Sequence, residues 1–555
     1  MLHATGSLLT VDVGERAAST TDISDVLEQF IGGRGAATKL AHDRIPFDAD
    51  PLGADNRLYF AAGPLQQSQM SFTGRMNLTG LSPLTDGLLS SNAGGYLSRN
   101  FVGTGHSVVE ITGQSDELVA VHVADDGVEF EAVPELAEAR VPAVTDAMTD
   151  RHGLEAEHLA TVGPAGENGV RFASVMTSDS RAFGRGGLGA ALGAKNVKTV
   201  SFTGDSPPAL DLPATDVHSE IHREAATSDD IMRRQGTSSL TGMVNELFSL
   251  PTRYYADMSF EGADGIDGDA VEAKKYEQGA CSVCAFACKV PTRDEETGIE
   301  TEGPEFETVF SFGSNCAVDD VVDVMQSNQL CDELGLDTIS CGVTVAAYLA
   351  SEDEFGNAEL VHELVEQIAH REGEGDRLAD GVARIHDDLG VENWAIKGLE
   401  HAAHDGRAVN GQGLSYAVAN RGGDHLYSTT FILEYEGIVD PEGTAGKAGL
   451  IVENENRVAV QDSGILCAFA MGEHIPDETV ATLFDTDWDT LQAVGGRVVE
   501  LERHFNNQRG MDAEDDWVPY DLPDLEQSIQ EYYELRGWND DGTVPEAAVG
   551  ESAAD

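Results

Sequence analysis

Three of the seven cysteines in this 555-residue chain lie close together, in the segment CSVCAFAC at positions 281–288. Cys281, Cys284 and Cys288 follow the spacing C-x2-C-x3-C, which on a helix places all three thiols on one face. If they hold a metal or a cluster, a further ligand has to come from a distant part of the chain. The fold must then bring one remote side chain to this segment.

Three interpretations of this segment remain open. A [4Fe-4S] cluster needs several converging thiolates and commonly takes one ligand from elsewhere. Zinc is the second, although structural zinc usually takes paired C-x2-C or His ligands and no second pair is present. The third is a set of buried structural cysteines. The candidates for a fourth ligand are Cys316, Cys331, Cys341 and Cys467.

Acidic residues are spread along the whole chain. Asp and Glu number 98 against 34 Lys and Arg, which gives a formal net charge of −64. Because aromatic and β-branched runs recur, we expect a globular protein with a strongly solvated surface, typical of a halophilic, high-salt cytoplasm. The charge argues against binding nucleic acid or anionic membrane surfaces. No signal peptide and no apolar run of ~20 residues is visible, so we predict a cytoplasmic protein.

The first 205 residues show strand patterns, and helical patterns follow them. SLLTVDV (7–13) and HSVVEITG (106–113) are typical of strands separated by Gly-rich turns. DDVVDVMQSNQLCDELG predicts a helix that is capped by Asp319 or Asp320 and ends at Gly335. No tandem repeat of roughly 20–50 residues is visible.

These patterns predict an α+β fold, with a mainly β N-terminal domain followed by two mostly helical domains. A Pro-rich linker, SPPALDLPATD, separates the first domain from the second. The predicted boundaries are 1–205, 206–395 and 396–540, with an unstructured tail at 541–555.

Two short phrases of similar composition occur far apart, DELGLD at 332–337 and DSGILC at 462–467. Each starts with Asp and contains a glycine among apolar residues. Our hypothesis is that two such turns offer matching carboxylates and backbone groups to two halves of one ligand. A chance similarity between short segments is the alternative.

Arginines lie in two Gly-rich stretches, 73–96 and 181–196, which contain Arg75, Arg181 and Arg185. In so acidic a chain, they favour a buried anionic ligand, since glycines let backbone N–H groups approach a phosphate. Exposed turns are the alternative. Gly184, Gly186 and Gly189 form a G-x-G-x-x-G, but the strand and acidic residue of a dinucleotide site are missing, so a nicotinamide-dependent dehydrogenase is a weak alternative.

Two further motifs contain groups suited to proton transfer. GPEFET offers Glu305 and Glu307, and RGGDH offers Asp424 and His425. A lone acid or His in an acidic chain usually lies on the surface. These groups matter for catalysis only if the fold brings them beside a cofactor.

In combination these motifs resemble the aldehyde ferredoxin oxidoreductase family of tungsten–pterin enzymes, over nearly the whole chain. Eleven motifs in the family's order are more specific than any one of them. The motifs are IGGRGAATKL, AAGPL, TGR…SPLTDG…SNAGGY, VGPAGENGVRFA, RAFGRGGLGA, CSVCAFAC, GPEFET, LCDELGLDTIS, KGLE, RGGDH and DSGILC.

The resemblance implies a β-rich base for a tungsten (or molybdenum) bis-pterin cofactor, with a [4Fe-4S] cluster held by Cys281, Cys284, Cys288 and Cys467. Its two pterin turns, D-x-x-G-L-[DC], correspond to 332–337 and 462–467, although DSGILC places its glycine one position early. The turn residues implied to bind pterin are Asp332, Gly335, Leu336, Asp337, Asp462 and Leu466.

The resemblance further assigns Arg75 and Arg181 to the pterin phosphates. Asn92 and the backbone carbonyl of Ala182 correspond to positions that hold a bridging Mg²⁺. The loop residues Gly94, Gly95, Gly184 and Arg185 complete the implied cofactor site. Glu307 and His425 correspond to proposed catalytic residues.

The implied activity is oxidation of an aldehyde to a carboxylic acid with water, and electrons pass through the cluster to ferredoxin. Family members acting on formaldehyde, on glyceraldehyde-type sugar-derived aldehydes or on carboxylates in reverse are alternatives. A cluster-containing scaffold without pterin is the non-enzymatic alternative. Some members form homodimers through an interfacial metal; a homodimer stays an open expectation, because the ligands of that metal are not identifiable in this sequence.

Overall fold

The computed structural model describes residues 1–470 and 474–550 and confirms the α+β class. Strands dominate up to Phe202, and the rest of the described chain is mainly helical. Among the helices in these ranges, none combines the length and apolar composition that crossing a membrane requires.

Two six-stranded sheets form the N-terminal region. The first contains β1 (Ser7–Asp12), β2 (Ala17–Asp22), β3 (Leu58–Ala61), β4 (Met76–Leu81), β5 (Leu88–Ala93) and β6 (His106–Thr112). The second contains β7 (Val119–Ala124), β8 (Gly127–Ala132), β9 (Leu159–Val162), β10 (Val175–Thr177), β11 (Arg181–Phe183) and β12 (Val197–Phe202). Their strand orders are β2-β1-β6-β3-β4-β5 and β8-β7-β12-β9-β10-β11.

The two sheets have the same topology. Adding six to each strand number in the order of the first sheet gives the strand order of the second. Each has one parallel pair, β1 with β6 and β7 with β12, while the other pairs are antiparallel. Each parallel pair has a β-bulge directly after its first residue pair. The extra, unpaired residue is Ser107 of β6 in the first sheet and Lys198 of β12 in the second. The repeated unit is longer than the tandem repeats of roughly 20–50 residues that were sought in the sequence. Its two copies also show little obvious sequence similarity.

A common apolar core joins the two sheets. Phe60 of the first sheet packs edge-on against Phe183 and Phe202 of the second, with ring centroids 5.9 and 5.5 Å apart. The end strands β5 and β11 contact each other. The sheets therefore form one base, and its central seam runs between these two end strands.

Helices cover this base and build the rest of the molecule. In the N-terminal region they are α1 (Ser24–Phe30), α2 (Gly33–Arg44), α3 (Leu97–Gly103), α4 (Val141–His152), α5 (Pro164–Glu167) and α6 (Leu188–Ala194). Those that follow up to residue 395 are α7 (Thr215–Thr227), α8 (Met232–Gln235), α9 (Leu240–Glu246), α10 (Gly268–Lys274), α11 (Phe306–Phe312), α12 (Val321–Leu334), α13 (Thr338–Glu352), α14 (Ala358–His370), α15 (Gly375–Leu378) and α16 (Val382–Leu389).

The C-terminal helices are α17 (Asn410–Val418), α18 (Thr430–Tyr435), α19 (Ala448–Gly464), α20 (Asp477–Leu483), α21 (Trp488–Gln508), α22 (Leu525–Arg536) and α23 (Glu546–Gly550). Helix α19 packs on α21, and both pack on α2, which also contacts strands β3 and β4. A buried bidentate ion pair fixes this junction, since Arg34 donates to both carboxylate oxygens of Glu502 at 2.8 Å. The C-terminal helices are thereby anchored to the first sheet.

Several local predictions can be compared with the structure. Helix α12 has Asp320 as its N-cap and ends at Gly335, as predicted. The cysteine segment 281–288 differs, because it is a loop of turns and not a helix, with Val283 and Ala287 at positive φ. The tail also differs over 541–550, where Val544 is buried and α23 forms; residues 551–555 lie outside the described ranges.

Candidate active site

A cavity of about 340 Å³ lies against the β5–β11 seam and is walled by all three parts of the chain. Most of the residues singled out in the sequence line it: Arg75, Asn92, Gly94, Arg181, Ala182, Gly184, Arg185, Cys281, Cys288, Glu307, Asp332, Leu336, Asp337, His425, Asp462 and Cys467. Gly95, Gly335 and Leu466 are chain neighbours of lining residues. Cys284 does not line the cavity and packs in an apolar cluster that also contains Cys288 and Cys467.

The first aspartate turn, 332–337, ends helix α12 at the cavity wall. Gly335 adopts the left-handed conformation with φ 77°. The carbonyl of Cys331 accepts hydrogen bonds from the backbone N–H groups of Gly335 and Leu336, both at 2.9 Å. Asp337 then donates its backbone N–H to the carbonyl of Phe172 at 3.1 Å, which ties the turn to the second sheet's half of the base.

The second turn, 462–467, has the same backbone geometry at the end of helix α19. Ile465 takes the left-handed position, with φ 60°. The carbonyl of Gln461 accepts from the N–H groups of Ile465 and Leu466, and Cys467 donates to the carbonyl of Phe72 at 2.8 Å. Each hydrogen bond of the first turn thus has a counterpart here, despite the displaced glycine.

Packing explains why the glycine of the second turn is at 464. A Cβ on Gly464 would lie 2.3 Å from the Phe484 ring, whereas Ile465 is itself buried. Holding a β-branched residue in the left-handed region costs about 1–3 kcal/mol, which the surrounding contacts have to offset. Packing against Phe484 therefore requires the glycine of DSGILC at position 464. The backbone geometry of the turn is the same as in the first turn.

Each turn packs on one copy of the repeat, and in both copies the contact is made by the glycine of a Gly-Pro pair. A Cβ on Gly163 would lie 2.2 Å from the carbonyl oxygen of Leu334, and one on Gly63 would lie 2.6 Å from that of Gly464. Leu334 and Gly464 are both the third residue of their turn. In each copy the supporting Phe follows nine residues after the glycine, at 72 and 172, so the base presents two equivalent sockets.

The first carboxyl of each turn faces the cavity and is poorly supplied with donors. Asp332 accepts from the Nδ2 of Asn328 at 3.0 Å, and burial raises its pKa well above the ordinary value. Burial also raises the pKa of Asp462, although Arg34, at 3.3 Å, opposes this. Buried carboxyls in this state fit a ligand that brings N–H donors.

The cavity wall is rich in basic residues for so acidic a chain, although seven acidic residues line it as well. Six of the chain's 34 basic residues line it: Arg34, Arg75, Arg181, Arg185, Lys289 and Arg421. The Nη1 of Arg185 and the Nε of Arg421 are buried without a hydrogen-bond partner among the described residues. Because orphaned guanidinium nitrogens are unfavourable in a protein interior, these residues fit an anionic ligand such as a phosphate.

Arg75 lies between the cavity and the cysteines. It donates from Nη2 to the carbonyl of Asn92 at 2.9 Å. Burial alone would lower its pKa, but the nearby Cys467 and Cys281 raise it. Asn92 is on β5 and Ala182 on β11, so both lie on the end strands that meet at the seam. A cation bound between them would be shared by the two halves of the base.

The thiols of 281–288 are brought next to Cys467. Burial raises the pKa of Cys288, and the other three cysteines add to this effect. No three of these sulfurs lie within 4.8 Å of one another among the described residues, whereas sulfurs around one zinc ion are about 3.8 Å apart. They are therefore not spaced as the ligands of a single zinc ion. Cys316, Cys331 and Cys341 are buried in a separate core.

Glu307 and His425 are adjacent in the wall. The Nδ1 of His425 lies 3.4 Å from Glu307 Oε1, and the backbone N–H of Ala403 donates to Glu307 Oε2 at 3.0 Å. Burial raises the pKa of Glu307, while His425 opposes this. His404, which the sequence reasoning missed, lies 3.8 Å from the same Glu307 oxygen and stacks on Phe431. These three side chains therefore form one group of ionisable atoms, all within 4.8 Å of one another.

Other wall residues were also missed. Arg34 lies in the quoted IGGRGAATKL, but nothing in that pattern indicated a buried arginine facing Asp462. Lys289 directly follows Cys288 and pairs with Glu305, and Arg421 opens the RGGDH motif and pairs with Asp424. The nine-residue spacing between Gly-Pro and Phe in both halves was the available signal for the two sockets.

The glycines of the G-x-G-x-x-G sequence serve packing. A Cβ on Gly186 would lie 2.1 Å from the side chain of Leu89, and one on Gly189 would lie 2.3 Å from the carbonyl oxygen of Ser174. The preceding strand β11 is a three-residue antiparallel end strand. This is not the βα context of a dinucleotide-binding loop.

Comparisons with known proteins agree with this architecture. Residues 8–204 match the family model "Aldehyde ferredoxin oxidoreductase, N-terminal domain", and residues 214–551 match "Aldehyde ferredoxin oxidoreductase, domains 2 & 3". The tungsten-containing aldehyde ferredoxin oxidoreductase of Pyrococcus furiosus is 31% identical over 95% of both chains. Its Thermococcus kodakarensis counterpart is 31% identical over 98% of this chain and 96% of its own.

More distant similarities extend to other activities. The aliphatic sulfonate oxidoreductase WOR-like subunit of Pyrococcus furiosus is 25% identical, covering 98% of this chain and 96% of its own. The active site complex BamBC of benzoyl coenzyme A reductase shares the fold, with a TM-score of 0.81 and 21% identity over 99% of this chain and 97% of its own.

The two-sheet base, the two equivalent turns and these relatives define the chain as an oxidoreductase. It belongs to the aldehyde ferredoxin oxidoreductase family, and the resemblance seen in the sequence is confirmed.

The close contact at Gly335 leads to a prediction about stability. Gly335→Ala places a Cβ 2.8 Å from the backbone N of Gly163 at positive φ, so we expect a loss of about 2–4 kcal/mol. Gly153→Ala is the matched control, because Gly153 also ends a helix in the left-handed conformation but has open space around it. Thermal unfolding at one scan rate should show a clearly larger decrease in midpoint for Gly335→Ala. Equal decreases would contradict the socket contact.

Proposed function

We propose that the chain oxidises aldehydes to carboxylic acids with water, using a tungsten–bis-pterin cofactor and a [4Fe-4S] cluster that passes electrons to ferredoxin. The observation that carries this proposal is the convergence on one cavity. Two equivalent carboxylate turns, arginine nitrogens without a partner among the described residues, three of the four thiols and a Glu–His pair all meet there.

The residues present fit such a cofactor. The carboxyls of Asp332 and Asp462 and the backbone of their turns would bind the two pterins. Arg75, Arg181 and Arg185 would neutralise the phosphates, with Mg²⁺ between Asn92 and the carbonyl of Ala182. The bound cofactor supplies the two-electron redox chemistry, and the protein supplies binding and orientation. The names of the relatives specify tungsten. Because the pterin and not the chain would supply the ligands of the metal, the side chains do not distinguish the two metals, and molybdenum is the alternative.

Glu307 would hold or move the proton at the reacting carbonyl or water. Its burial keeps the protonated form accessible, and His425 at 3.4 Å can exchange that proton. Apolar side chains of the same wall, including Phe306, Ile339 and Phe431, exclude bulk water around this pair. These apolar neighbours support a role for Glu307 as the acid–base group of the cavity.

Cys467 links the cofactor wall to the thiol set. It closes the second turn, and it also interacts electrostatically with Cys281 and Cys284. A cluster held by the four thiols would therefore lie close to the cavity and could pass electrons on to ferredoxin.

Metal and pterin analysis of the purified protein tests the proposal, together with an assay using a viologen dye. We expect tungsten or molybdenum, pterin, iron and labile sulfide, with reduction of the dye by aldehydes. The panel should include formaldehyde, a glyceraldehyde-type aldehyde and an aliphatic sulfonate, since one relative carries a sulfonate name. Protein without pterin, or with activity only on the sulfonate, would overturn it.

Glu307→Gln should slow turnover without removing the cofactor. Losing the titratable carboxyl is expected to lower kcat by about 10²–10⁴-fold, while the tungsten and iron contents stay unchanged. Glu366→Gln is the control, because Glu366 is paired with Arg140 outside the cavity. A normal kcat in Glu307→Gln would exclude a proton-transfer role for this residue.

Cys467→Ser should lower the iron and labile sulfide contents, because it removes the proposed fourth ligand. Cys341→Ala removes a buried thiol from the separate core and is expected to leave both contents unchanged. Colorimetric iron and sulfide assays, together with the low-temperature electron paramagnetic resonance spectrum of the reduced protein, make the comparison. Unaltered iron and spectrum in Cys467→Ser would mean that the cluster is held by other residues.

A further inference from the structure

A second group of potential metal ligands lies on the N-terminal base, apart from the cavity. It consists of His122 on β7, Glu131 on β8 and His152 at the end of α4. Glu131 Oε2 is 2.7 Å from His152 Nε2 and 3.3 Å from His122 Nε2. All three ligand atoms lie within 4.8 Å of one another. Two imidazole nitrogens and one carboxylate oxygen therefore converge on one point.

The scaffold around these side chains is rigid. Strands β7 and β8 form an antiparallel hairpin in which His122 is paired with Glu129. Helix α4 packs on the same sheet through Val144 and Met148, which share an apolar cluster with Ala120. This packing determines where the last residue of α4, His152, lies relative to the hairpin. The site is thus formed by regular elements and not by a loose loop.

Second contacts orient the ligands. The Nδ1 of His122 is hydrogen-bonded to Ser201 Oγ at 2.8 Å, which leaves Nε2 facing Glu131. Arg151 donates from Nη1 to the other carboxylate oxygen of Glu131, Oε1, at 3.0 Å. Outer partners of this kind commonly orient metal-binding His and carboxylate groups.

We propose that His122, Glu131 and His152 bind a divalent transition-metal ion of the zinc type. Ligand atoms about 2.0–2.2 Å from such an ion are separated by roughly 3–3.6 Å, close to the spacing seen here. Imidazole nitrogens favour zinc-like metals over Mg²⁺ and Ca²⁺, which prefer oxygen. Glu129, opposite His122 in the hairpin register, or water completes the coordination.

The local charge favours a dication. The carboxylates of Glu129 and Glu131 lie near His122, and Arg151 is the basic residue that pairs with Glu131 and Glu135. A metal-free ion-pair network of Glu131 with His122, His152 and Arg151 is the alternative explanation of the contacts. Such a network would show no saturable binding of Zn²⁺, so titration with the metal separates the two explanations.

A bound ion would fasten the β7–β8 hairpin to α4. This hairpin lies at the outer end of the second sheet, far along the strand order from the β11 seam strand. The ion would therefore stabilise one copy of the base without entering the cavity. The proposed site is independent of the redox activity and of the cofactor.

Calorimetric titration of the holoenzyme with Zn²⁺, after passage over a chelating resin, tests the site. We expect one saturable site whose affinity falls by at least ~10-fold in His152→Ala and in His122→Gln. His158→Ala is the matched control, because His158 lies just after α4 and contacts Glu155 outside the cluster. The melting temperature should rise with Zn²⁺ in the wild type and in His158→Ala, and not in the two cluster variants.

Two results would overturn the site. One is equal Zn²⁺ affinity in the wild type, His152→Ala and His122→Gln, which would place bound zinc elsewhere. The other is no saturable binding in the wild type. Weakened binding in His152→Ala but not in His122→Gln would also count against it, because the three-ligand site needs both imidazoles. Circular dichroism of each variant, and its unchanged aldehyde activity, would verify that the fold is intact.

Discussion

The site depends on two backbone contacts of one type, each between a glycine of the sheet base and the third residue of a helix-ending turn. Gly63 meets Gly464, and Gly163 meets Leu334, at distances that leave no room for a Cβ. Phe72 and Phe172 then accept the closing N–H of each turn. Because the base is a repeat, the two turns are held in equivalent positions. A ligand with two similar halves can bind there in one orientation relative to the seam.

Because the chain is so acidic, basic residues that line a cavity are stronger evidence for an anionic ligand. Most carboxylates of a chain with net charge −64 remain in water, while six basic groups line one buried wall. Among the described residues some of their nitrogens have no hydrogen-bond partner, which a folded protein tolerates where a ligand supplies one. Asp332 and Asp462 are buried on the same wall with few donors near their carboxyl groups. These features fit a ligand that is anionic in one part and donates hydrogen bonds in another.

Sequence reasoning predicted the α+β class, the cap and end of α12 and the members of the cavity wall that carry recognisable motifs. For 281–288 it considered a helix, on which C-x2-C-x3-C places the three thiols on one face, whereas Val283 and Ala287 at positive φ turn the segment back on itself. The repeat was invisible because its copies conserve topology, a bulge and a Gly-Pro spacing rather than side chains. His404 and Arg34 belong to the wall through tertiary packing, and no local pattern marks such residues. His122, Glu131 and His152 are likewise united only by the fold.

The two turns are equivalent in backbone but not in their last side chain, and this difference gives the site a direction. Asp337 accepts the N–H of Ser340 as the N-cap of α13 and lies 3.4 Å from Arg185. Cys467 holds the corresponding place in the other turn and faces three more thiols. This thiol lies on the side where the loop 281–288 meets the seam, through the hydrogen bond from the N–H of Gly95 to Cys281 Sγ. Under the proposed function an electron would leave the cavity on this side and not on the side of Asp337. The difference in one residue thus gives two otherwise equivalent turns different surroundings, a guanidinium in one and thiols in the other.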